Sequence, residues 1–140
     1  LSLADLHELL KLRVDIFVVE QQSLYPEIDG RDPGALHLLA EAGGALVGTL
    51  RILGLTDDGP VWIGRVAVRA DRRGSGLGRR MMQAALARIE AATPGREIRL
   101  GAQIAQEGFY RSSGFARAGG EYDDGGIAHV EMARPGSGKA

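Results

Sequence analysis

Apolar residues recur every three or four positions at the start of the chain. This spacing places one set of side chains on a single helical face, formed by Leu3, Leu6, Leu10, Val14 and Phe17. Ser2 comes just before this run, and its hydroxyl can accept a hydrogen bond from the first helical turn. The pattern therefore predicts a helix that begins after Ser2 and turns its Leu3 face toward the core.

Short runs rich in β-branched residues follow and are typical of strands. The predicted strands are Leu36–Glu41, Ala45–Leu55, Val61–Val68, Ile98–Ala102, Phe115–Tyr122 and Ile127–Met132. Glycine pairs separate the first two strands and the last two, as expected of tight hairpin turns. The run Val61–Val68 is apolar at both odd and even positions, which predicts a central strand covered on both faces.

Two further helices are predicted after this central strand. Leu77, Met81, Ala85 and Ile89 repeat every four residues until the sequence Thr93-Pro94-Gly95 ends the helix. Because a strand, a helix and a strand follow one another, the strand Ile98–Ala102 should lie parallel to the central strand through a right-handed crossover. A short helix is expected from about Ile104 to Ser113. The elements together predict an α/β domain with a mixed sheet.

The domain organisation follows from length and composition. The chain has 140 residues, of which 44% are hydrophobic and 25% charged, which suits one globular domain over residues 1–133. Arg134–Ala140 is rich in glycine and is expected to be a disordered tail. A long polar loop spans Gln22–Gly34, and such loops in compact domains are often functional.

A glycine-rich junction between the central strand and the next helix is the strongest chemical signal. In Arg73–Gly78, glycines let backbone N–H groups point in one direction, and the new helix adds free amides and the positive end of its dipole. Six arginines lie around this junction against one acid, Asp71; they are Arg65, Arg69, Arg72, Arg73, Arg79 and Arg80. The junction is therefore predicted to bind a phosphate group.

Two common phosphate-binding motifs do not fit this junction. A P-loop requires lysine and then serine or threonine after its last glycine, whereas Gly78 is followed by two arginines. A dinucleotide-binding motif spaces its glycines G-x-G-x-x-G, whereas Gly74, Gly76 and Gly78 are evenly spaced. Both nucleotide-binding interpretations are therefore disfavoured.

Composition excludes several other function classes. The formal net charge of −1 disfavours non-specific binding to nucleic acid, and no run approaches the roughly 18 apolar residues of a membrane span. The start of the chain does not resemble a secretory signal, so a cytoplasmic location is expected. There is no cysteine, which excludes disulfides and a cysteine nucleophile. The three histidines lack metal-ligand spacing, so no metal is expected.

Two motifs in order resemble the GNAT N-acetyltransferase superfamily. Arg73, Gly76 and Gly78 match its R-x-x-G-x-G loop, and Phe109-Tyr110 followed by Gly114-Phe115 matches its second signature, F-Y-x-x-x-G-F. The segments Leu12–Gln21, Tyr25–Gly30 and Tyr122–Val130 are similar to its ElaA-like branch. The resemblance implies a mostly antiparallel mixed sheet with two splayed parallel strands and flanking helices. It also implies that the usual first strand is missing here.

The same resemblance implies an acetyl-CoA-dependent N-acetyltransferase. Its expected cofactor-binding residues are Val66, Ala67, Val68, Arg73, Gly74, Ser75, Gly76, Leu77, Gly78, Arg79, Gln103 and Tyr110. Tyr110 corresponds to the tyrosine that returns a proton to the leaving coenzyme A thiolate. Gln103 stands where many relatives have an asparagine. The general base is left open among Glu20, His37 and His129, or a base acting through water.

The acceptor is expected to be a primary amine of a small molecule or peptide, and the protein a monomer or homodimer. Five acids of the long loop and the last hairpin mildly favour a cationic amine; they are Glu27, Asp29, Asp32, Asp123 and Asp124. A non-catalytic acyl-CoA-binding or sensing module is the alternative function. A nucleotide-binding protein is a third possibility.

Overall fold

The computed structural model of the chain describes residues 1–22 and 27–136. Helix α1 spans Leu3–Arg13 and continues directly as a π-helical segment, Val14–Glu20. The predicted capping contact forms, because the Asp5 amide donates to the Ser2 hydroxyl at 3.0 Å. Helix α2 spans Leu77–Ala92 and helix α3 spans Glu107–Arg111. Short 3-10 turns lie at Asp32–Gly34, Ala70–Arg72 and Ile104–Gln106.

Six strands form one mixed sheet. They are β1 (Leu36–Ala42), β2 (Ala45–Leu53), β3 (Val61–Val68), β4 (Ile98–Gln103), β5 (Ala116–Asp124) and β6 (Ile127–Arg134). Their spatial order is β1-β2-β3-β4-β6-β5. Only the β3–β4 pair is parallel and the other neighbours are antiparallel, which confirms the predicted mixed sheet and crossover.

The two parallel strands separate soon after they meet. Strands β3 and β4 pair only at Val61 with Ile98 and at Trp62 with Arg99. Farther along, β3 carries a bulge against β2, where the register shifts between Thr49 and Arg51 and Arg65 has a φ of 51°. The bulge bends β3, and a split opens in the middle of the sheet. The implied splay of the parallel strands is thus confirmed.

Each face of the sheet is covered by helices. Helix α2 packs Met81, Met82, Ala85 and Ile89 against the main core, which also contains Ile63 and Leu100 of the splayed strands. On the other face, Leu12, Ile16 and Phe17 pack against Ala67 of β3. The π-helical segment therefore lies beside the split, and a local departure of this kind is frequent at functional sites.

The inward face of α1 differs from the predicted one. Leu3 is 85% exposed, whereas Leu9, Leu12 and Arg13 are buried. The prediction for the Leu3 face was wrong because it counted apolar residues alone, while the helix is oriented so that it buries an arginine with distant acidic partners. At the other end of the chain, β6 continues to Arg134, and residues 137–140 of the expected tail lie outside the described residues.

No helix in the described part of the chain is long and apolar enough to cross a membrane.

Candidate active site

A cleft of about 670 Å³ lies where β3 and β4 separate. Its walls come from the π-helical segment, both splayed strands, α3 and the last hairpin. The predicted site residues on its walls are Glu20, Val66, Ala67, Val68, Arg73, Gly78, Gln103, Tyr110 and His129. Gly74, Ser75, Gly76, Leu77 and Arg79, in contrast, do not line it. The structure thus brings most of the expected catalytic and cofactor-binding residues into one space.

The glycine loop next to this cleft has the conformation that glycine requires. Gly74 has a φ of 77° and Gly76 a φ of 85°, values that other residues rarely adopt. Gly76 is the N-cap of α2, and no side chain of the described residues caps this end. The first amides of α2 lack intrahelical partners for geometric reasons. They are therefore available, with the helix dipole, to an anion.

Gly78 explains how the loop and the candidate acid come together. A Cβ atom at position 78 would lie 3.4 Å from Cζ of Phe109, so a larger residue would push α3 away from the start of α2. Phe109 in turn contacts Tyr110 edge to face, with ring centroids 5.0 Å apart. The two motifs of the sequence are therefore packed against each other.

Tyr110 is buried in the cleft wall, with 8% of its surface exposed. Burial raises the pKa of its hydroxyl to about 12, because the phenolate would lose solvation. The hydroxyl is therefore protonated at neutral pH and can donate a proton only to a group that becomes strongly basic. That property suits an acid for a leaving thiolate.

Arg73 has contacts that the sequence did not indicate. Its guanidinium binds the Glu20 carboxylate at 2.6 and 3.1 Å, and its Nε donates to the Val68 carbonyl at 3.1 Å. The hydrogen bond from Arg73 lowers the pKa of Glu20. This contact joins the end of the π-helical segment to the end of β3. Glu20 is consequently an ion-pair partner on the cofactor side of the cleft.

Gln103 lies at the end of β4 and spans the cleft toward the π-helical segment. Its Nε2 donates to Oε1 of Gln21 at 3.0 Å, a contact between residues 82 positions apart. Both glutamines line the cleft. Gln21 was not predicted as a site residue, because no local pattern connects it with β4.

His129 lies on β6 directly opposite Gln103 in the sheet register. Its Nδ1 is 2.8 Å from the Ile127 carbonyl, and its ring stacks on Tyr122 with centroids 5.7 Å apart and planes at 28°. The Tyr122 hydroxyl lies over Gly101, at a place that a Cβ atom there would occupy. Glycine at position 101 thus leaves room for an aromatic wall beside His129.

The structure does not bring His37 into the cleft. It lies on β1, and its Nε2 is 3.0 Å from the Asp32 carbonyl. It is adjacent instead to a separate space of about 220 Å³ between β1 and α2. Among the three candidate bases, His37 is therefore the one that the fold separates from the split.

Buried charges hold the long loop against the sheet. Arg13 donates to Glu27 and to Asp32, each at 2.7 Å, and all three side chains are at most 8% exposed. Arg51 binds Asp29 at 2.6 Å and Asp32 at 3.2 Å. Arg65, at the β3 bulge, binds Glu27 at 3.2 Å and Asp29 at 3.4 Å. We call these six residues the ionic network.

The ionic network changes the interpretation of the acidic loop. Hydrogen bonds from Arg51 lower the pKa of Asp29. Burial opposes ionisation of Asp32, but hydrogen bonds from Arg13 and Arg51 outweigh it and lower its pKa. These acids are thus ionised and neutralised by arginines. The expectation that they attract a cationic amine is not supported, and Asp124 is the member of that acidic set that lines the cleft.

The cluster of arginines near the glycine loop is also smaller than the sequence indicated. Arg65 belongs to the ionic network, and Arg69 binds its neighbour Asp71 at 2.6 Å. Within residues 1–22 and 27–136, no group of three histidine or acidic residues is arranged to hold a metal ion.

Comparisons with known proteins agree with this geometry. Residues 10–134 match the family model described as an acetyltransferase (GNAT) domain. Protein ElaA of Escherichia coli K12 is 40% identical over 137 residues, which cover 96% of this chain and 90% of ElaA. The crystal structure of Escherichia coli ElaA gives a TM-score of 0.89 over 96% of this chain and 92% of that chain.

Two other solved structures extend the comparison. An acyl-CoA N-acyltransferase from Pseudomonas aeruginosa is 36% identical, with a TM-score of 0.89 over 96% of this chain and 92% of that one. A GNAT family acetyltransferase from Elizabethkingia anophelis with acetyl-CoA bound shares the fold at 14% identity. Its TM-score is 0.65 over 77% of this chain and 80% of that chain.

Proposed function

This chain belongs to the GNAT acetyltransferase family, and we propose that it transfers an acetyl group from acetyl-CoA directly to a primary amine of a small molecule or peptide. The observation that carries this proposal is the split between β3 and β4, which lies next to the uncapped start of α2 and contains the Tyr110 side chain. Acyl-CoA use by the Pseudomonas aeruginosa protein and bound acetyl-CoA in the Elizabethkingia anophelis protein support the same cosubstrate.

The residues of the cleft fit the parts of coenzyme A. Its diphosphate suits the amides of Gly74–Gly78 and the first turn of α2, where the helix dipole favours negative charge. Its pantetheine arm contains two amides, which suit the peptide groups of Val66–Val68 that β4 leaves unpaired. Arg73 and Gln103 lie at the two sides of this path. Arg79 lies on the first turn of α2 and adds positive charge there.

The chemistry that we propose is a direct transfer. The amine attacks the thioester carbonyl, a C–N bond forms, and the C–S bond breaks. Tyr110 gives its proton to the departing thiolate, and a backbone N–H near Val68 stabilises the negative charge that develops on the carbonyl oxygen. The chain has no cysteine, so an acetyl-cysteine intermediate cannot form.

The ionic network supports an acceptor of low charge. Three arginines and three acids of this network neutralise one another at the loop beside the cleft. Two further charges of opposite sign, Arg31 and Asp124, line the wall. An amine that carries a single positive charge therefore suits this wall better than a polycation does.

A thiol-release assay tests the proposed activity. The protein is incubated with acetyl-CoA and a panel of monoamines, amino acids, polyamines, aminoglycosides and peptides, and free coenzyme A is measured. We expect release that depends on the acceptor and is strongest with monoamines. Calorimetry with coenzyme A is run in parallel.

The alternative function, an acyl-CoA-binding or sensing module, gives a different pair of results. Such a module binds coenzyme A in the calorimeter but releases no thiol with any amine. If calorimetry finds no affinity for coenzyme A, both functions are wrong.

A further inference from the structure

The split in the sheet brings one histidine to the place where an acceptor amine must enter. His129 is paired in register with Gln103, the last residue of β4, and both line the cleft. Strand β4 has already separated from β3 at this level. A group on His129 thus faces the open part of the cleft and not a neighbouring strand.

The hydrogen bond to the Ile127 carbonyl fixes which nitrogen of His129 carries a proton. A carbonyl oxygen only accepts, so the Nδ1 atom, 2.8 Å away, must be the donor. In the neutral ring, Nε2 is then left with its lone pair. Free histidine in water prefers the opposite tautomer, so the backbone of β6 selects the form in which Nε2 can accept a proton.

The surroundings hold the ring and favour its protonated form. Tyr122 stacks on it from β5, which keeps the plane fixed. Asp124 on β5 and Glu131 on β6 lie on the same face of the sheet, since residues two apart in a strand share a face. The remaining polar groups on this side of the cleft are the amides of Gln103 and Gln21 and the paired carboxylate of Glu20.

The other two candidate bases have different engagements. Glu20 is bound by Arg73 through both carboxylate oxygens, and this contact lowers its basicity. His37 lies outside the cleft, and its Nε2 must donate to the Asp32 carbonyl, so its free nitrogen is Nδ1. His129 alone among the three combines a position on the cleft wall with an unprotonated nitrogen.

We infer that His129 is the general base of this enzyme, and that the Ile127 carbonyl sets it up for that role by holding the proton on Nδ1. This inference rests on the proposed function. The substrate ammonium gives one proton to Nε2, and the resulting amine forms the C–N bond while the C–S bond breaks. The second proton of the amine replaces, through water, the one that Tyr110 gives to the thiolate. The imidazolium finally returns its proton to solvent.

Nitrogen-15 NMR of the histidine rings tests the tautomer without any acceptor. The whole protein, labelled at histidine, is measured at a pH where the rings are neutral, and His129→Gln identifies the signals. We expect His129 to be protonated at Nδ1 and His37 at Nε2, so one spectrum contains both the test and its internal contrast. A His129 ring protonated at Nε2 would overturn the inference.

Kinetics with two probe amines test the base itself. Ethylamine is almost fully protonated at neutral pH, whereas 2,2,2-trifluoroethylamine is largely unprotonated and needs little help from a base. For His129→Gln we expect transfer to ethylamine to fall by about 100-fold or more, the usual size of a general-base contribution. Transfer to trifluoroethylamine should fall much less. His7→Gln, at an exposed position on α1, is the matched control and should keep wild-type rates with both amines.

The possible failures are distinguishable. Equal losses with both amines would show that His129 has a structural role and would overturn the inference alone. The same holds if His129→Gln leaves transfer to ethylamine unchanged. If the wild-type protein acetylates neither amine and no member of the acceptor panel, the proposed function fails, and the inference fails with it.

Discussion

The glycine loop and the acidic loop beside the cleft are both polar and charged, yet they end in opposite states. Residues 73–78 leave amides at the start of α2 without a side-chain cap among the described residues. Residues 27–32 instead spend their carboxylates on Arg13, Arg51 and Arg65. The comparison teaches that a charged loop is free to bind a ligand only where the fold has not already supplied its counter-charge.

The largest effect should come from breaking the acidic loop's network. Arg13→Met removes the central cation and leaves Glu27 and Asp32 buried with too few partners. We expect a loss of about 3–5 kcal/mol in the free energy of unfolding. Urea denaturation followed by circular dichroism measures it.

Lys11→Met is the matched control, because it removes an ion pair to Asp15 whose side chains are 61% and 51% exposed. Its cost should stay within about 1 kcal/mol. Equal losses for the two variants would contradict the idea that the buried network stabilises the loop.

The next effect concerns chemistry beside the glycine loop. Tyr110→Phe removes the hydroxyl from the cleft and should lower kcat by about 100-fold. The affinity for acetyl-CoA, measured by calorimetry, should not change, since the amides that bind phosphate are untouched. Ser112→Ala, which removes an exposed hydroxyl just after α3, is the control and should have wild-type kcat. Unchanged turnover in Tyr110→Phe would exclude Tyr110 as the acid.

A smaller effect tests the shape of the glycine loop itself. Gly76 has a φ of 85°, so Gly76→Ala introduces backbone strain of about 1–2 kcal/mol. If the loop moves to relieve this strain, coenzyme A should bind roughly tenfold more weakly in calorimetry, because 1.4 kcal/mol corresponds to a factor of ten.

Gly59→Ala provides the comparison for the loop variant. Gly59 lies in a turn, has no positive φ, and a Cβ atom there would have no neighbour within 4 Å. Its affinity for coenzyme A should equal that of the wild type. Equal affinities for both alanine variants would mean that the left-handed residue is not needed for the site.

The smallest effect is a change in how stability depends on pH. Arg51 holds the pKa of Asp29 well below its usual range, so unfolded protein binds the more protons in acid. The contribution of Asp29 is thus complete above its unfolded pKa of about 3.9 and is lost as the pH falls toward its folded value. Stability should decrease from about pH 5 downward.

Asp29→Asn should make this decrease shallower, as judged from urea midpoints between pH 6 and pH 3. Asp58→Asn, in an exposed turn, should keep the wild-type slope. A wild-type slope for Asp29→Asn would show that the acidic loop does not respond to acid through this carboxylate.

The sequence predicted the features that depend on neighbouring residues. Strand β3, the glycine loop and α2 follow one another within 32 residues, and each is marked by its own local pattern, so their order and the parallel crossover were confirmed. The Ser2 cap was confirmed for the same reason. Tyr110 entered the cleft because its motif and the glycine loop pack together through Gly78.

Features that depend on distant residues could not be predicted. Arg13 is buried because its acidic partners lie 14 and 19 positions later, and no helical periodicity contains that information. The bulge at Arg65 and the contact between Gln21 and Gln103 likewise arise only in the folded chain. A charged residue counted as surface by its type can thus be a core residue by its partners.

The separation of β3 and β4 has a consequence for inhibitor design. A sheet interrupted in its middle offers peptide groups to whatever linear molecule can bridge the gap, whether or not it carries a reactive sulfur. Short compounds with two or three successive amides, joined to an anionic end for the start of α2, should occupy this protein without being turned over. Their affinity would reflect how well they complete the missing seam of the sheet.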